Sequence, residues 1–100
     1  MITQLTAIAH FKLNLLMLQK ILEFYQDDLF VIFNGFDDCV IGVDEDSMCL
    51  IYSMDAILNV LVTKHGLSLE DAIEHFDFNI ASMKGDKMPI ICIDCFDDEM

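Results

Sequence analysis

The sequence predicts an α+β domain, about three helices packed on a small sheet that contains an antiparallel hairpin. Three observations carry that expectation. "CVIGV" (39–43) and "MCLIY" (48–52) are apolar, β-favouring runs on either side of a short acidic turn, "DEDS" (44–47), a hairpin pattern. Two later segments repeat apolar residues at three- and four-residue spacings, each behind a serine able to cap a helix. A final apolar run, "PIICID" (89–94), follows a glycine-containing loop and reads as a last strand.

Along the chain, residues 5–25 carry leucine, isoleucine and phenylalanine at mixed helical spacings, enough for a helix buried over much of its circumference. Asp27 and Asp28 end it. "LFVIF" (29–33), followed by Asn34 and Gly35, predicts a strand and a turn. Ser53 caps a helix over 54–65 that Gly66 terminates. Ser68 with Asp71 three residues on is a capping-box pattern, with Asp a shorter reach than the usual Glu, and its helix runs to about Met83. In that helix Leu69, Ala72, Ile73, Phe76, Ile80 and Met83 form one apolar stripe. Phe78 falls on the opposite side, beside Asp71, Glu74, His75 and Ser82. Either another element covers Phe78, the N-terminal helix or a neighbouring strand, or it is an aromatic anchor inside an acidic rim, as protein interfaces use. The expected organisation is a helical extension over 1–16, a single α+β domain over 17–95 and an acidic tail over 96–100.

One hundred residues make one domain with a single modest core, and a hydrophobic content of 55% argues against disorder. Charge is the outlier: 18 acids face five lysines and no arginine, for a net charge of −13. Such a chain repels phosphate, so neither direct nucleic-acid contact nor binding to an anionic membrane is expected. Without arginine it offers no bidentate fork to phosphate or carboxylate. Its natural partners are basic protein surfaces or metal cations. The longest apolar stretch, 5–24, is broken by His10, Lys12, Asn14, Gln19, Lys20 and Glu23, which does not suit a membrane span. Residues 1–16 show neither a basic start nor a small-residue cleavage site, so no signal peptide is expected. The expected location is cytoplasmic, with the four cysteines as thiols.

Those thiols are the first candidates for chemistry. "CIDC" (92–95) is a Cys-x-x-Cys, and Cys39 and Cys49 bring the number to that of a structural zinc site. The pair lies along an expected strand, where positions i and i+3 face opposite sides. No helix follows it as in thioredoxin-like sites, and Asp94, Asp97 and Asp98 would raise the thiol pKa values. Buried or incidental thiols are the expectation, and a metal site on Cys39, Cys49, Cys92 and Cys95 the alternative. "DEDS" resembles the start of a calcium loop, but Met48 and Cys49 stand where that loop needs an acid or amide and then glycine. A solvated turn fits better. Asp37 and Asp38 could join the turn in a divalent-cation site, though their spacing does not require it. His65 falls at a helix end, where an imidazolium suits the dipole, and His75 stands four residues after Asp71, as in a surface ion pair. No nucleophile motif and no glycine-rich phosphate loop accompanies either histidine, so neither an enzyme nor a cofactor is expected.

The composite "FNGFDDCVIGVDED…LIYSMDAILNVLVTKHGLSLEDAIEHFDFNIA…GDKMPIICID" resembles a group of small proteins without assigned activity that are common in tailed-bacteriophage genomes, marine ones especially. The shared elements are Gly35–Asp38, Ile51–Ser53, Ser68–Asn79 and Gly85–Ile90, within residues 17–93. Two departures stand out. The loop after "FDFN" is shortened and lacks its usual aromatic, and residues 1–16 precede "MLQKILEFYQDDL", where such proteins usually start. The added segment would cover a face open in relatives or mediate self-association through residues 1–24. The resemblance brings no activity, but it implies a phage protein acting in the host cytoplasm. Joined to the charge, it leads to a non-catalytic protein that binds a host or phage protein, with the basic surface of a nucleic-acid-binding protein as target, in the manner of an inhibitor or DNA mimic. The candidate partner-binding residues are Phe78, Asp71, Glu74, Asp37, Asp38, Asp44, Glu45 and Asp46. The plain alternative is that the charge serves solubility only.

Overall fold

The computed structural model describes residues 17–83, 85 and 87–96. The expected extension over 1–16, and with it most of the proposed self-association segment, lies outside the described residues, as do residues 97–100 of the acidic tail.

Helix α1, residues 17–24, sets Leu18 and Ile21 into the core and leaves Leu22 and Phe24 exposed, so this part is buried on one side and not around its circumference. The Tyr25 N–H donates to the Ile21 carbonyl (3.0 Å) and the Asp28 N–H to that of Tyr25 (3.1 Å), winding the helix down near the expected aspartates. The expected strand over 29–33 does not form. Phe30 and Phe33 pack on the core while Leu29, Val31 and Ile32 are exposed. The Phe33 N–H, which a strand would give to a neighbouring carbonyl, donates instead to the Tyr52 hydroxyl at 2.9 Å. β-Propensity records fit to a pleated, half-buried surface, and without a partner strand it yields only an extended segment.

A 3-10 turn, Asp37–Cys39, leads into β1 (Val40–Asp44), which pairs antiparallel with β2 (Cys49–Ser53). The hairpin is therefore present, with Val43 opposite Leu50 and Asp44 opposite Cys49, and a bulge at Ile41. Its turn is closed by local bonds. The Asp44 carbonyl accepts from the Met48 N–H (2.7 Å), the Asp44 carboxylate accepts from the Ser47 hydroxyl (2.7 Å), and Met48 takes a left-handed φ of 56°.

Ser53 ends β2 and caps α2 (Met54–Thr63), its Oγ accepting from the Ala56 N–H at 3.0 Å. After α2 the chain turns through Gly66 at φ 73°, a conformation that suits glycine, and the Leu67 N–H reaches the Leu61 carbonyl at 3.2 Å. Ser68 caps α3 (Leu69–Asn79) by accepting from the Asp71 N–H at 3.1 Å. α3 stops short of Met83: the N–H groups of Ile80 and Ala81 both turn to the Phe76 carbonyl (2.9 and 2.8 Å), and residues 80–82 form a turn.

β3 (Ile90–Cys92) runs parallel to β2, in the order β1-β2-β3, so the sheet is mixed. The direction follows from the connection: two helices carry the chain from β2 back across the sheet, the crossover that parallel pairing requires. β3 is also shorter than the expected 89–94. Its pairing ends at Cys92 opposite Ser53, where β2 becomes a helix and offers no further ladder. β2 is the central strand, with Leu50 and Tyr52 fully buried and Ile57, Leu61 and Phe76 packed in the same core. No helix among the described residues is long and apolar enough to cross a membrane.

Candidate partner-binding surface

α3 turns Ala72, Phe76 and Ile80 into the core, a single i, i+4 line. The apolar stripe is thus narrower than its periodicity implied: Leu69 is 60% exposed, Ile73 39% and Met83 47%. The reason is the neighbour. α3 packs along α2, so only its innermost line enters the core, and Leu69 and Ile73 edge a groove between the two helices. Phe76 takes the expected core position.

Phe78 is 73% exposed. Around it Leu67, Asp71, Glu74, His75 and Asn79 line a shallow hollow of about 490 Å³. The structure therefore brings three of the candidate residues, Phe78, Asp71 and Glu74, onto one outer face of α3. His75 Nδ1 lies 3.3 Å from the Asn79 side-chain nitrogen, which also donates to the His75 carbonyl at 3.2 Å.

The other candidates lie elsewhere. Asp37 and Asp38 sit in the 3-10 turn, which packs against α2, with Phe36 and His65 stacked at 6.4 Å between ring centres. Asp44, Glu45 and Asp46 occupy the hairpin turn at the far end of β1, roughly 13 Å of strand away. Two of these acids are engaged locally: Asp44 holds the Ser47 hydroxyl, and Glu45 accepts from the Tyr25 hydroxyl, tying the turn to the end of α1. That bond is the largest cause raising the Tyr25 phenol above its ordinary value. Asp46 is exposed.

Nor do the thiols converge. Cys49 begins β2 and Cys92 pairs with Ser53 at its other end, again roughly 13 Å apart along the strand. Among the described residues no three histidine, cysteine, aspartate or glutamate side chains gather as metal ligands, so neither the four-cysteine set nor the set joining Asp37 and Asp38 to the turn is assembled. Cys39 and Cys49 are buried, and Cys92 and Cys95 partly so. Burial, then the neighbouring Asp38, pushes the Cys39 thiol up to about 12. Native protein treated with a thiol reagent at pH near 8 should label the partly exposed Cys92 and Cys95 first, while Cys39, buried and short of the reacting thiolate, stays protected until denaturant is added. Labelling of Cys39 at the rate of Cys95 would contradict the burial.

One polar constellation has no counterpart in the expected sites. Ser53, the one buried polar residue among those described, donates its hydroxyl proton to Asp94 Oδ2 at 2.6 Å while capping α2. Asp94 Oδ1 accepts from the Asp55 N–H at 2.9 Å, so one carboxylate serves both the serine cap and the first turn of the helix. Partial burial would raise the Asp94 carboxyl, but the bonds from Ser53 and Asp55 outweigh it and hold it below its usual value. An anion at a helix N-terminus also meets the positive end of the dipole. No local pattern announces this, because 41 residues separate Ser53 from Asp94. Its role is architectural: it locks the end of β3 to the start of α2.

No protein-family model, curated protein or solved structure matches this chain.

Proposed function

We propose that this is a non-catalytic, phage-type acidic protein of the host cytoplasm. It binds a host or phage protein by occupying the basic surface with which that partner holds nucleic acid. The observation that carries this is Phe78, exposed at 73%, with Asp71 and Glu74 on the same hollow. A solvent-facing phenylalanine gives up hydrophobic stabilisation of order 2 kcal/mol that burial in a partner would recover. Carboxylates around it would steer a cationic surface into register, and a net charge of −13 would speed the encounter. The resemblance of residues 17–93 to phage proteins supports the setting.

The test is affinity capture from infected cells at low and high salt, with the native chain and Phe78→Ala. A nucleic-acid-binding protein recovered at low salt should be lost at high salt. Phe78→Ala should weaken its capture about tenfold or more without changing the melting temperature. Complexes that survive high salt undiminished, or acidic partners alone, would refute the proposal. Capture that Phe78→Ala leaves intact would move the site elsewhere.

A further inference from the structure

A second surface lies away from the Phe78 hollow. α2 presents Met54, Leu58 and Val62, spaced four apart, and α3 presents Leu69 and Ile73, also four apart. Phe96, beyond β3, closes one side. Together they enclose a groove of about 660 Å³. Leu58 forms part of the floor, being buried, while Leu69 at 60% and Phe96 at 76% exposure form walls open to solvent. On α3, Ile73 and Phe78 are five residues apart, about 140° around the helix, so groove and hollow face different directions.

We propose that this groove is a docking site for an amphipathic helix with an apolar stripe and basic flanks. Shape and charge together select that occupant. From Met54 to Val62 the groove runs eight residues of α2, about 12 Å, which matches two turns of a guest helix with anchors at i, i+3 or i+4, and i+7. Its margins are acidic. Asp55 lines it, and Glu70 and Asp77 are exposed on α3 on the side of Leu69 and Ile73. Among the described residues no lysine lines the groove, and Lys64, which caps the end of α2, lies near Cys39. A second copy of this chain is disfavoured as occupant, because two molecules of net charge −13 would bring like-charged margins together. A basic, amphipathic helix meets apolar floor and acidic rim at once, and neither half of that match involves Phe78.

The probe is a short synthetic peptide of leucine and lysine only, with leucine at helical spacing. Its controls are a peptide of the same composition in shuffled order and one with glutamate in place of lysine. Titrated into the full chain by calorimetry and by NMR, the patterned peptide should bind, and its amide shift changes should centre on Met54, Leu58, Val62, Leu69 and Ile73. The double variant Leu69→Ser with Phe96→Ser removes exposed side chains only, so the fold should survive while affinity falls about tenfold or more. Phe78→Ala should bind the peptide unchanged, which separates this groove from the proposed function: either can fail alone. The proposal is overturned if the patterned peptide does not bind, if the shuffled or glutamate peptide binds equally well, or if the shift changes centre on Asp71 and Phe78. It is also overturned if the protein alone sediments as a dimer that Phe96→Ser dissociates, since a second copy then fills the groove.

Discussion

Phe76→Ala should lower the unfolding free energy by about 3–5 kcal/mol, whereas Phe78→Ala, two residues on, should change it by less than about 0.5 kcal/mol. Both are phenylalanines on the same helix, so propensity and composition are identical and only position differs. Phe76 is 2% exposed, on the line with Ala72 and Ile80 that meets the core. Its truncation removes a large buried side chain and leaves a cavity that the surrounding elements can close only in part. Phe78 at 73% exposure leaves no cavity. In a domain of this size the first variant should lose more than about 10 °C in melting temperature and the second should stay near the native value. Similar losses for both would mean that Phe78 is covered in solution, and the proposed partner surface would go with it.

The second large effect belongs to Asp94. Replacing it with alanine removes the acceptor of both the Ser53 hydroxyl and the Asp55 N–H, and should cost about 1–2 kcal/mol, the lower end being favoured by solvent around the carboxylate. The loss should depend on pH. Burial opposes ionisation of Asp94, but the two hydrogen bonds prevail, so its folded pKa lies below the ordinary 3.8. A carboxyl with a depressed folded pKa stabilises the native state fully above its unfolded pKa and loses that contribution as pH falls through the folded value. The stability gap between the native chain and Asp94→Ala should therefore be constant near neutrality and close as pH is lowered below about 3.8. Urea titrations of both proteins across that range would show it. A gap independent of pH would mean that the carboxylate's charge plays no part in holding β3 to α2.

How far the sequence reached depends on the range of the interaction. The hairpin, its acidic turn and both serine caps were legible because each closes within a few residues: Ser53 with the Ala56 N–H, Ser68 with that of Asp71, and Asp44 with Ser47. Gly66 was legible for the same reason. The strand expected over 29–33 failed because β-rich composition does not supply a partner, and the Phe33 N–H found the Tyr52 hydroxyl first. α3 was expected to run to Met83 because its apolar spacing continues past Asn79, yet spacing does not report where the backbone turns away.

For the candidate surfaces the same division holds. The sequence by itself determined that Phe76 and Phe78 face opposite ways, since helical periodicity sets their angle, and that the chain carries an excess of carboxylates, since charge is additive. Helical spacing likewise placed Asp71 and Glu74 beside Phe78, and only the tertiary structure decided that the other acids do not join them, since the turns at 37–38 and 44–46 stand at opposite ends of β1. Only the tertiary structure placed Leu69 and Ile73 beside Met54 and Phe96, and Asp94 beside Ser53. Those contacts depend on how α2 and α3 pack on each other and return the chain to a parallel third strand, and a one-dimensional pattern of a few residues does not encode that geometry.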